Sequence, residues 1–348
     1  CYNSELIMGK IFASLVLSFF VIFLINLIWA LTNLYYFVVD GFQTLFVATT
    51  FVENVYFSVY LKWILLLDFS CLISVLIFMA TRKNYKTDSK LHNLTYSHIK
   101  DPKICVTMHT YNEEQVIEKT VKDFVKQDYV EKVIVIDNHS TDRTVELARE
   151  SGATVITKTS NKGYAHSWCL GLREALKTDA NIIVITDADG TYNGYDIKKM
   201  IPYLDNCDMV IGTRMTQVLS EKTNQNDTFL VWGNLFLAAF FQFKFFNLRH
   251  LGVTPLSDVG CSYRCVRRES LEKIISNFTK QNSDEFVKGI NDITITLFTT
   301  KSAIENDQRV IEIPITFKER IGVSKSGVTH KNKAIKYGLQ MLYFLLFY

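Results

Sequence analysis

The chain has 348 residues, a formal net charge of +3, 48% hydrophobic residues and 13% aromatic ones. That length allows one or two domains with a large core. The net charge is too small to suggest nucleic acid, so no nucleic-acid partner is expected, and the apolar content is high for a wholly soluble enzyme.

The excess begins at the N-terminus. Ile11 to Val39 holds no charged residue, a run longer than the roughly 20 residues needed to cross hydrocarbon. A secretory signal would carry an apolar region of only about 7–15 residues and a small-residue cleavage site, so a membrane helix is expected. A second apolar run, Trp63 to Ala80, contains one acid, Asp68, and is followed by Arg82, Lys83 and Lys86. Asp68 is costly in lipid unless it faces another helix or a polar neighbour. The loop between the runs holds Asp40, Glu53 and a single basic residue, Lys62, against Arg82, Lys83 and Lys86 after the second run, which places the loop outside and the basic flank inside. Two spans return the chain to its starting side. The protein is therefore expected to be integral to the membrane, with everything from about Thr81 onward cytosolic.

From Lys103 the pattern changes to short β-branched runs alternating with helical stretches. "KICVTM" is the first strand, with a helix beginning near Asn112. "KVIVID" (Lys132 to Asp137) is the second, followed by a helix with Ser140 or Thr141 as N-cap and Gly152 as its stop. "ATVIT" is the third, before a helix from about Gly163 to Lys177. "NIIVIT" is the fourth, before a helix near Asp196 to Leu204, and "DMVIG" is the fifth. Continuous apolar strands alternating with helices predict a parallel α/β sheet covered on both faces. Its carboxyl edge, where such folds bind ligands, then collects "TYNEE", "DNHSTD", "NKG", "DADG" and "TR".

The segment Phe229 to Phe246 carries a single charge, Lys244. A span there would separate the polar clusters before it from those after it, so a helix lying on a membrane or covering the core is expected. At the C-terminus, Lys331, Lys333 and Lys336 precede "GLQMLYFLLFY", too short to span. It reads as an interfacial helix or the first half of a span. Basic residues beside apolar segments suit anionic lipid headgroups.

The seven cysteines form no CxxC pair, and reduced thiols are expected. The four N-x-S/T sequons, at Asn93, Asn138, Asn226 and Asn277, are unused if the domain is cytosolic.

Asp187 and Asp189 stand one residue apart at the end of an apolar strand. A single Asp there would be an N-cap or turn residue. Two crowded carboxylates call for a cation. Mg²⁺ or Mn²⁺ is held by one or two carboxylates plus substrate phosphates, so the pair predicts a metal bridged to a diphosphate. Asp137 can accept from a base, Tyr111 and Glu113 can reach base and ribose, and Lys162 can meet phosphate or base. Asp142 is a structural cap or a ligand. Neither GxxxxGK[ST] nor GxGxxG is present, which excludes a P-loop NTPase and argues against a dinucleotide site.

"TYNEE", "DNHSTDRT", "NKGYAHSWCLGL", "DADGTY", "GTR", "SDVGCSYR" and "EIPITFKERIGVSKSG" stand in this order. Together they resemble the family 2 glycosyltransferases of GT-A fold, and within them the polyprenyl-phosphate (dolichyl-phosphate) sugar transferases. The resemblance runs from Lys103 to about Gly327. It implies a Rossmann-like, mostly parallel GT-A domain, an inverting transfer and a divalent metal, Mg²⁺ or Mn²⁺, on Asp187 and Asp189. The donor would be a nucleoside-diphosphate sugar, UDP- or GDP-linked, held by Thr110, Tyr111, Asn112, Glu113, Asp137, Asn138, Ser140, Lys162, Gly163, Asp187 and Ala188. The acceptor would be a polyprenyl (dolichyl or undecaprenyl) phosphate, its phosphate held by Arg214, Arg264, Arg320, Ser324 and Lys325. Asp258 joins Asp187 and Asp189 as a catalytic candidate, the place to seek a base if the acceptor were a hydroxyl. Arg267 and Arg268 read as surface solvation. The chain departs from the family pattern at His109, usually Pro, and at Asn138, usually Asp. It lacks the Gln-x-x-Arg-Trp motif of processive synthases.

The expected layout is a membrane region with two transmembrane helices over 1–82, a linker over 83–102, the catalytic domain over 103–328 and an amphipathic or truncated membrane helix over 329–348. The membrane helices could associate subunits into a homo-oligomer. The expected activity is transfer of a glucose- or mannose-type sugar to a polyprenyl phosphate on the cytosolic face. The alternatives are a sugar or lipid hydroxyl as acceptor, or a nucleotide-sugar-binding subunit without catalysis.

Overall fold

Apolar strands run through the middle of the fold because both of their faces are covered. In the computed structural model the described residues are 96–221, 227–245, 255–279, 286–321 and 331–348, with parts of 10–35 and 65–77. The chain forms two compact units, Cys1–Arg82 with Leu346–Tyr348, and Lys83–Leu345.

In the larger unit, β1 (Ile104–Thr110) is buried at all seven positions and β4 (Ile182–Asp187) at five of six. Around them lie β2 (Val130–Asp137), β3 (Thr154–Thr157), β5 (Met209–Thr213), β6 (Arg264–Arg267) and β7 (Val310–Pro314). The sheet order is β3-β2-β1-β4-β6-β5-β7. All strand pairs are parallel except those of β6, which is antiparallel to β4 and β5. The five strands expected from sequence are present in a mostly parallel α/β sheet; β6 and β7 are additional.

This topology gathers the chemistry on one side. The carboxyl ends of β1 to β5 share an edge. Because β6 runs against its neighbours, the residues that precede it, Asp258 to Tyr263, lie at that edge too. Because β7 runs with β5, the residues that follow it, Ile315 to Arg320, return there.

The helices cover the sheet by amphipathic spacing. In α1 (Ile117–Val125) the buried positions are Ile117, Thr120, Val121 and Phe124, the 3.6-residue period of a half-buried helix. It starts later than the Asn112 expected, because Glu113 is held in a turn whose carbonyl accepts from the Val116 and Ile117 amides. Helix α2 (Thr144–Glu150) has Arg143 at its N-cap position, so neither Ser140 nor Thr141 caps it. The Ser140 hydroxyl instead accepts from the Asn112 amide at 2.8 Å. Helix α3 (Tyr164–Ala175) packs on β1 and β2, and a Cβ at its Gly171 would lie 3.3 Å from Thr107. The expected helix near Asp196 to Leu204 is one α-turn, α4 (Ile197–Met200), between two 3₁₀ turns.

Helix α5 (Thr228–Lys244) is capped by Asp227, whose carboxylate accepts from the Phe229 and Leu230 amides. It buries Leu237, Ala238, Phe241 and Lys244 and leaves Trp232 69% exposed. Helix α6 (Arg268–Ile274) follows β6 directly. Arg267 and Arg268 are not solvation: Arg267 binds the Leu204 and Cys207 carbonyls, and Arg268 those of Leu176, Thr178 and Ala180. Both supply donors to carbonyls left over where helices end. Helix α7 (Ile295–Glu305) is buried from Ile295 through Ala303 and at Ile304, and α8 (Lys331–Phe347) closes the chain.

In the N-terminal unit, the described residues between 10 and 35 and between 65 and 77 are helical; the rest of the two expected spans lies outside the described residues. Among the described residues no helix is long and apolar enough to cross a membrane. The five described cysteines, Cys105, Cys169, Cys207, Cys261 and Cys265, are buried and free. Asn93 and Asn226 lie outside the described residues, and Asn138 is 8% exposed.

Candidate active site

β1 fixes the spacing of the site. Its Thr110 is in register with Asp137 on one side, and its His109 with Asp187 on the other. The chain then turns sharply at each strand end. Asn112 and His139 take positive φ (51° and 69°), as do Gly163 (86°) and Gly190 (77°). Four such residues at one edge is the clustering seen where a fold shapes a ligand site. At Gly163 a Cβ would lie 2.7 Å from the Asp292 carboxylate, which in turn accepts from the Ala165 amide at 2.8 Å. Only glycine fits that crossing.

The first two loops are interlocked. Buried Asp137 accepts from the Ser140 amide at 3.1 Å. Asn112 accepts from the Thr141 amide at 2.8 Å, and the Glu113 amide donates to Thr144 at 2.8 Å. Asp142 accepts from the Thr144 amide at 3.0 Å and from that of Glu114 at 3.3 Å, the structural role of its two alternatives. Asn138 donates to Asn161 at 2.7 Å and accepts from the Lys162 amide at 3.1 Å, which ties the second loop to the third. Lys158, below them, donates to Gly163 O and Ser167 Oγ, and burial pulls its ammonium down to about 8. The buried Thr110 hydroxyl has no partner among the described residues. It is an orphaned polar atom beside Asp137.

Asp187 is held from both sides. Tyr164 donates to its Oδ1 at 2.9 Å and Ser262 to its Oδ2 at 2.6 Å. Burial and the Asp187 charge push the Tyr164 phenol up, so it remains a donor. Neither Tyr164 nor Ser262 is among the site residues expected from sequence, although both lie inside the quoted motifs. A donor to a carboxylate leaves no spacing signal of its own. Asp189 accepts from the Thr191 amide and hydroxyl at 3.1 and 2.6 Å. Its other oxygen meets Arg320 Nη1 at 3.0 Å, and Arg320 Nη2 binds Glu113. Burial, and then the Asp187 charge, push the Asp189 carboxyl up, with Arg320 pulling it partly back.

Arg320 thus sits on the pair as a resident cation, joining the end of β1 to the end of β4. Among the described residues no three His, Cys, Asp or Glu side chains converge on a metal position. Two crowded carboxylates that already attract a positive group fit a hard divalent ion whose other ligands are phosphate oxygens.

At the carboxyl end of β5, Arg214 and Asp258 form a bidentate pair, Nε to Oδ2 at 2.7 Å and Nη2 to Oδ1 at 2.8 Å. Asn234 of α5 adds a bond to Asp258 Oδ1 at 2.9 Å. Burial opposes the charge on Asp258, but the Arg214 guanidinium and these bonds hold its carboxyl below the ordinary value. Glu312 grips the same turn through the Ser257 and Asp258 amides at 2.8 and 2.9 Å. Arg264, expected at the acceptor phosphate, is instead fully buried. Its guanidinium donates to Cys261 O and Thr300 Oγ1 and lies over Trp168, because its place on β6 between β4 and β5 aims it into the core. Burial pulls it down to about 10. His109 stacks on the same Trp168 at 5.4 Å and meets Tyr164 edge-on at 5.3 Å. Burial, helped by Lys158, drives its imidazole down to about 3, so it is neutral. Ser324 and Lys325 lie outside the described residues.

The model of the family described as glycosyl transferase family 2 matches residues 105–275, which contain every loop of the carboxyl edge up to β6. The chain belongs to this family. Among curated family relatives, polyprenol monophosphomannose synthase of Mycolicibacterium smegmatis is 27% identical over 250 residues, covering 66% of this chain and 83% of that protein. Glycosyltransferase AglJ of Haloferax volcanii is 36% identical over 33% of this chain and 37% of its own length. Protein MJ1222 of Methanocaldococcus jannaschii is 34% identical over 36% of this chain and 52% of its own length. The chain therefore spans about a third to a half of the last two relatives. In this family 2 chain Arg320 links the loop after β1, through Glu113, to Asp189 after β4, and the Arg214–Asp258 pair lies on the same edge of the sheet.

Proposed function

We propose that this chain is a membrane-associated glycosyltransferase that moves a sugar, with inversion, from a UDP- or GDP-linked donor to a polyprenyl phosphate. Residues 103–328 carry the reaction and 1–82 form the membrane region. The apolar side chains of the described N-terminal helices support this, with Phe23 50%, Ile28 63% and Phe69 67% exposed. Asp187 and Asp189 hold Mg²⁺ or Mn²⁺, which offsets the charge of the departing nucleoside diphosphate. Thr110, Tyr111, Asn112, Glu113, Asp137, Asn138, Ser140, Lys162, Gly163 and Ala188 shape the donor pocket, and Arg320, Ser324 and Lys325 take the acceptor phosphate.

The observation that carries the acceptor class is the Arg214–Asp258 pair. A hydroxyl acceptor needs a base, and Asp258, the carboxylate the sequence offers for it, is committed to a guanidinium through two hydrogen bonds. A phosphate monoester is already anionic at pH 7 and needs only positioning and charge cancellation. Polyprenol monophosphomannose synthase, by its name a lipid-phosphate mannosyl enzyme, points the same way.

The test is transfer of radiolabelled sugar from UDP-glucose or GDP-mannose by the detergent-solubilised full chain, with Mn²⁺ or Mg²⁺. The expected product, with dolichyl or undecaprenyl phosphate added, is a lipid labile to mild acid. An acid-stable product on a hydroxyl would replace this reading with its alternative, and binding of donor without transfer to any acceptor would leave a non-catalytic subunit.

Tyr164→Phe and Ser262→Ala each remove one donor to Asp187. Changes of this kind lower metal affinity by about 10-fold or more. The expected result is a weaker Mn²⁺ dissociation constant by electron paramagnetic resonance, with an unchanged melting temperature for Tyr164→Phe. Unaltered Mn²⁺ binding in both variants would remove Asp187 from the metal site.

A further inference from the structure

After β7 the chain is pinned across the site one residue at a time. The Ile315 amide binds Thr213 O, Thr316 binds Asp196 Oδ2 at 2.7 Å, Phe317 binds Leu219 O and Lys318 binds Thr191 O at 2.8 Å. The Glu319 amide binds Glu221 at 2.7 Å. Thr191 is the residue whose amide and hydroxyl hold Asp189. This strap ends in Arg320, delivered onto Asp189 and Glu113. The pair is well shielded: the side chains are 13% exposed at Asp189, 8% at Glu113 and 26% at Arg320. The Asp189 oxygen that Arg320 takes is the one Thr191 leaves open. A further donor, Arg320 Nε, is buried and has no partner among the described residues.

A divalent ion that binds Asp189 through Oδ2 competes with the guanidinium for that oxygen and repels its charge. A guanidinium driven off, still tethered by the strap, needs an anion. We propose that Arg320 couples the two substrates. It blocks the metal position until metal and nucleoside diphosphate arrive together, and once displaced it supplies its fork to the phosphate of the acceptor. Arginine suits the exchange because it pairs bidentately with carboxylate and phosphate alike. The consequence is an obligatory order, donor before acceptor. This inference rests on the metal and acceptor roles proposed above.

The test measures Mn²⁺ binding to the full chain by electron paramagnetic resonance, without nucleotide, in the wild type, Arg320→Gln, Arg320→Lys and Asp189→Asn. Binding of farnesyl phosphate is measured alongside, with and without Mn²⁺ and UDP or GDP. Freeing a shielded carboxylate from its cation is expected to tighten Mn²⁺ binding by about 10-fold in Arg320→Gln, with Arg320→Lys between it and the wild type. Farnesyl phosphate is expected to bind the wild type only when Mn²⁺ and nucleotide are present, and to lose most of that binding in Arg320→Gln. The melting temperature of each variant confirms that it is folded. Equal or weaker Mn²⁺ binding in Arg320→Gln, with Asp189→Asn still abolishing it, overturns the coupling and leaves the metal site intact. Farnesyl phosphate binding that ignores Mn²⁺ and nucleotide overturns the order. Mn²⁺ binding that survives Asp189→Asn overturns the metal reading and this inference with it.

Discussion

Asp189→Ala is expected to lower sugar transfer by about a thousandfold or more, the several kcal/mol of charge stabilisation that a divalent ion supplies to a phosphate leaving group. The loss should appear in kcat and kcat/KM together, because the ion acts where charge builds on the departing diphosphate. It should also appear as lost Mn²⁺ binding without any turnover. Stability should move the other way. The Asp189 carboxyl is pushed up by burial and by Asp187, so its ionised form opposes folding at neutral pH. Asp189→Asn, which keeps the shape without the charge, is therefore expected to hold or raise the melting temperature while removing activity. Activity within tenfold of the wild type would show that the pair is not the metal site.

The second large effect is structural. Asp258→Ala leaves the Arg214 side chain, only 14% exposed, with its Nε and Nη2 deprived of their acceptor. Breaking a buried ion pair from one side costs about 3–5 kcal/mol. The turn at Ser257–Asp258 and the bond from Asn234 are lost with it, so α5 loosens from the site. Chemical denaturation should show this loss at neutral pH. The pH dependence has a definite sign. The folded Asp258 carboxyl lies below its ordinary value of 3.8. Its contribution is thus fully present above that value and fades only as the pH falls through the lower folded value. The stability gap between the wild type and Asp258→Ala should stay constant from pH 8 to pH 5 and narrow only in acid. A gap that closes near neutrality would place another group in control. A loss below about 1 kcal/mol would show that Arg214 finds water or another partner.

Much of the carboxyl edge was legible because it is local. Five apolar strands each end in a polar cluster, and a strand end is a position that sequence periodicity can locate. Asp187, Asp189, Asp137 and Glu113 stand where the pattern put them, along one edge. Helix starts were less legible. Ser140 has the chemistry of an N-cap, yet it serves Asn112 in the neighbouring loop, and nothing within ten residues of it announces that use. Helix α7 was not legible at all. Its buried stretch from Ile295 to Ile304 has no polar face, so no amphipathic period appears. Thr299 and Thr300 return their hydroxyls to carbonyls of the same helix, which allows a Thr-rich helix inside a core.

The arginines divide the two levels of information most clearly. Sequence marks Arg214, Arg264 and Arg320 alike, as basic residues inside family motifs. The fold gives them three different environments: a buried pair with Asp258, a carboxylate-free place in the core over Trp168, and a bridge across Asp189 and Glu113. What the sequence determined by itself is the α/β class, the edge that carries the chemistry and the acids at the strand ends, because hydrophobic period and turn residues act over a few neighbours. What only the tertiary structure decided is which cation meets which acid. That depends on β6 entering the sheet antiparallel and on the strap after β7, contacts between residues up to 207 positions apart. No local pattern encodes them, since their free energy is realised only when the sheet is assembled.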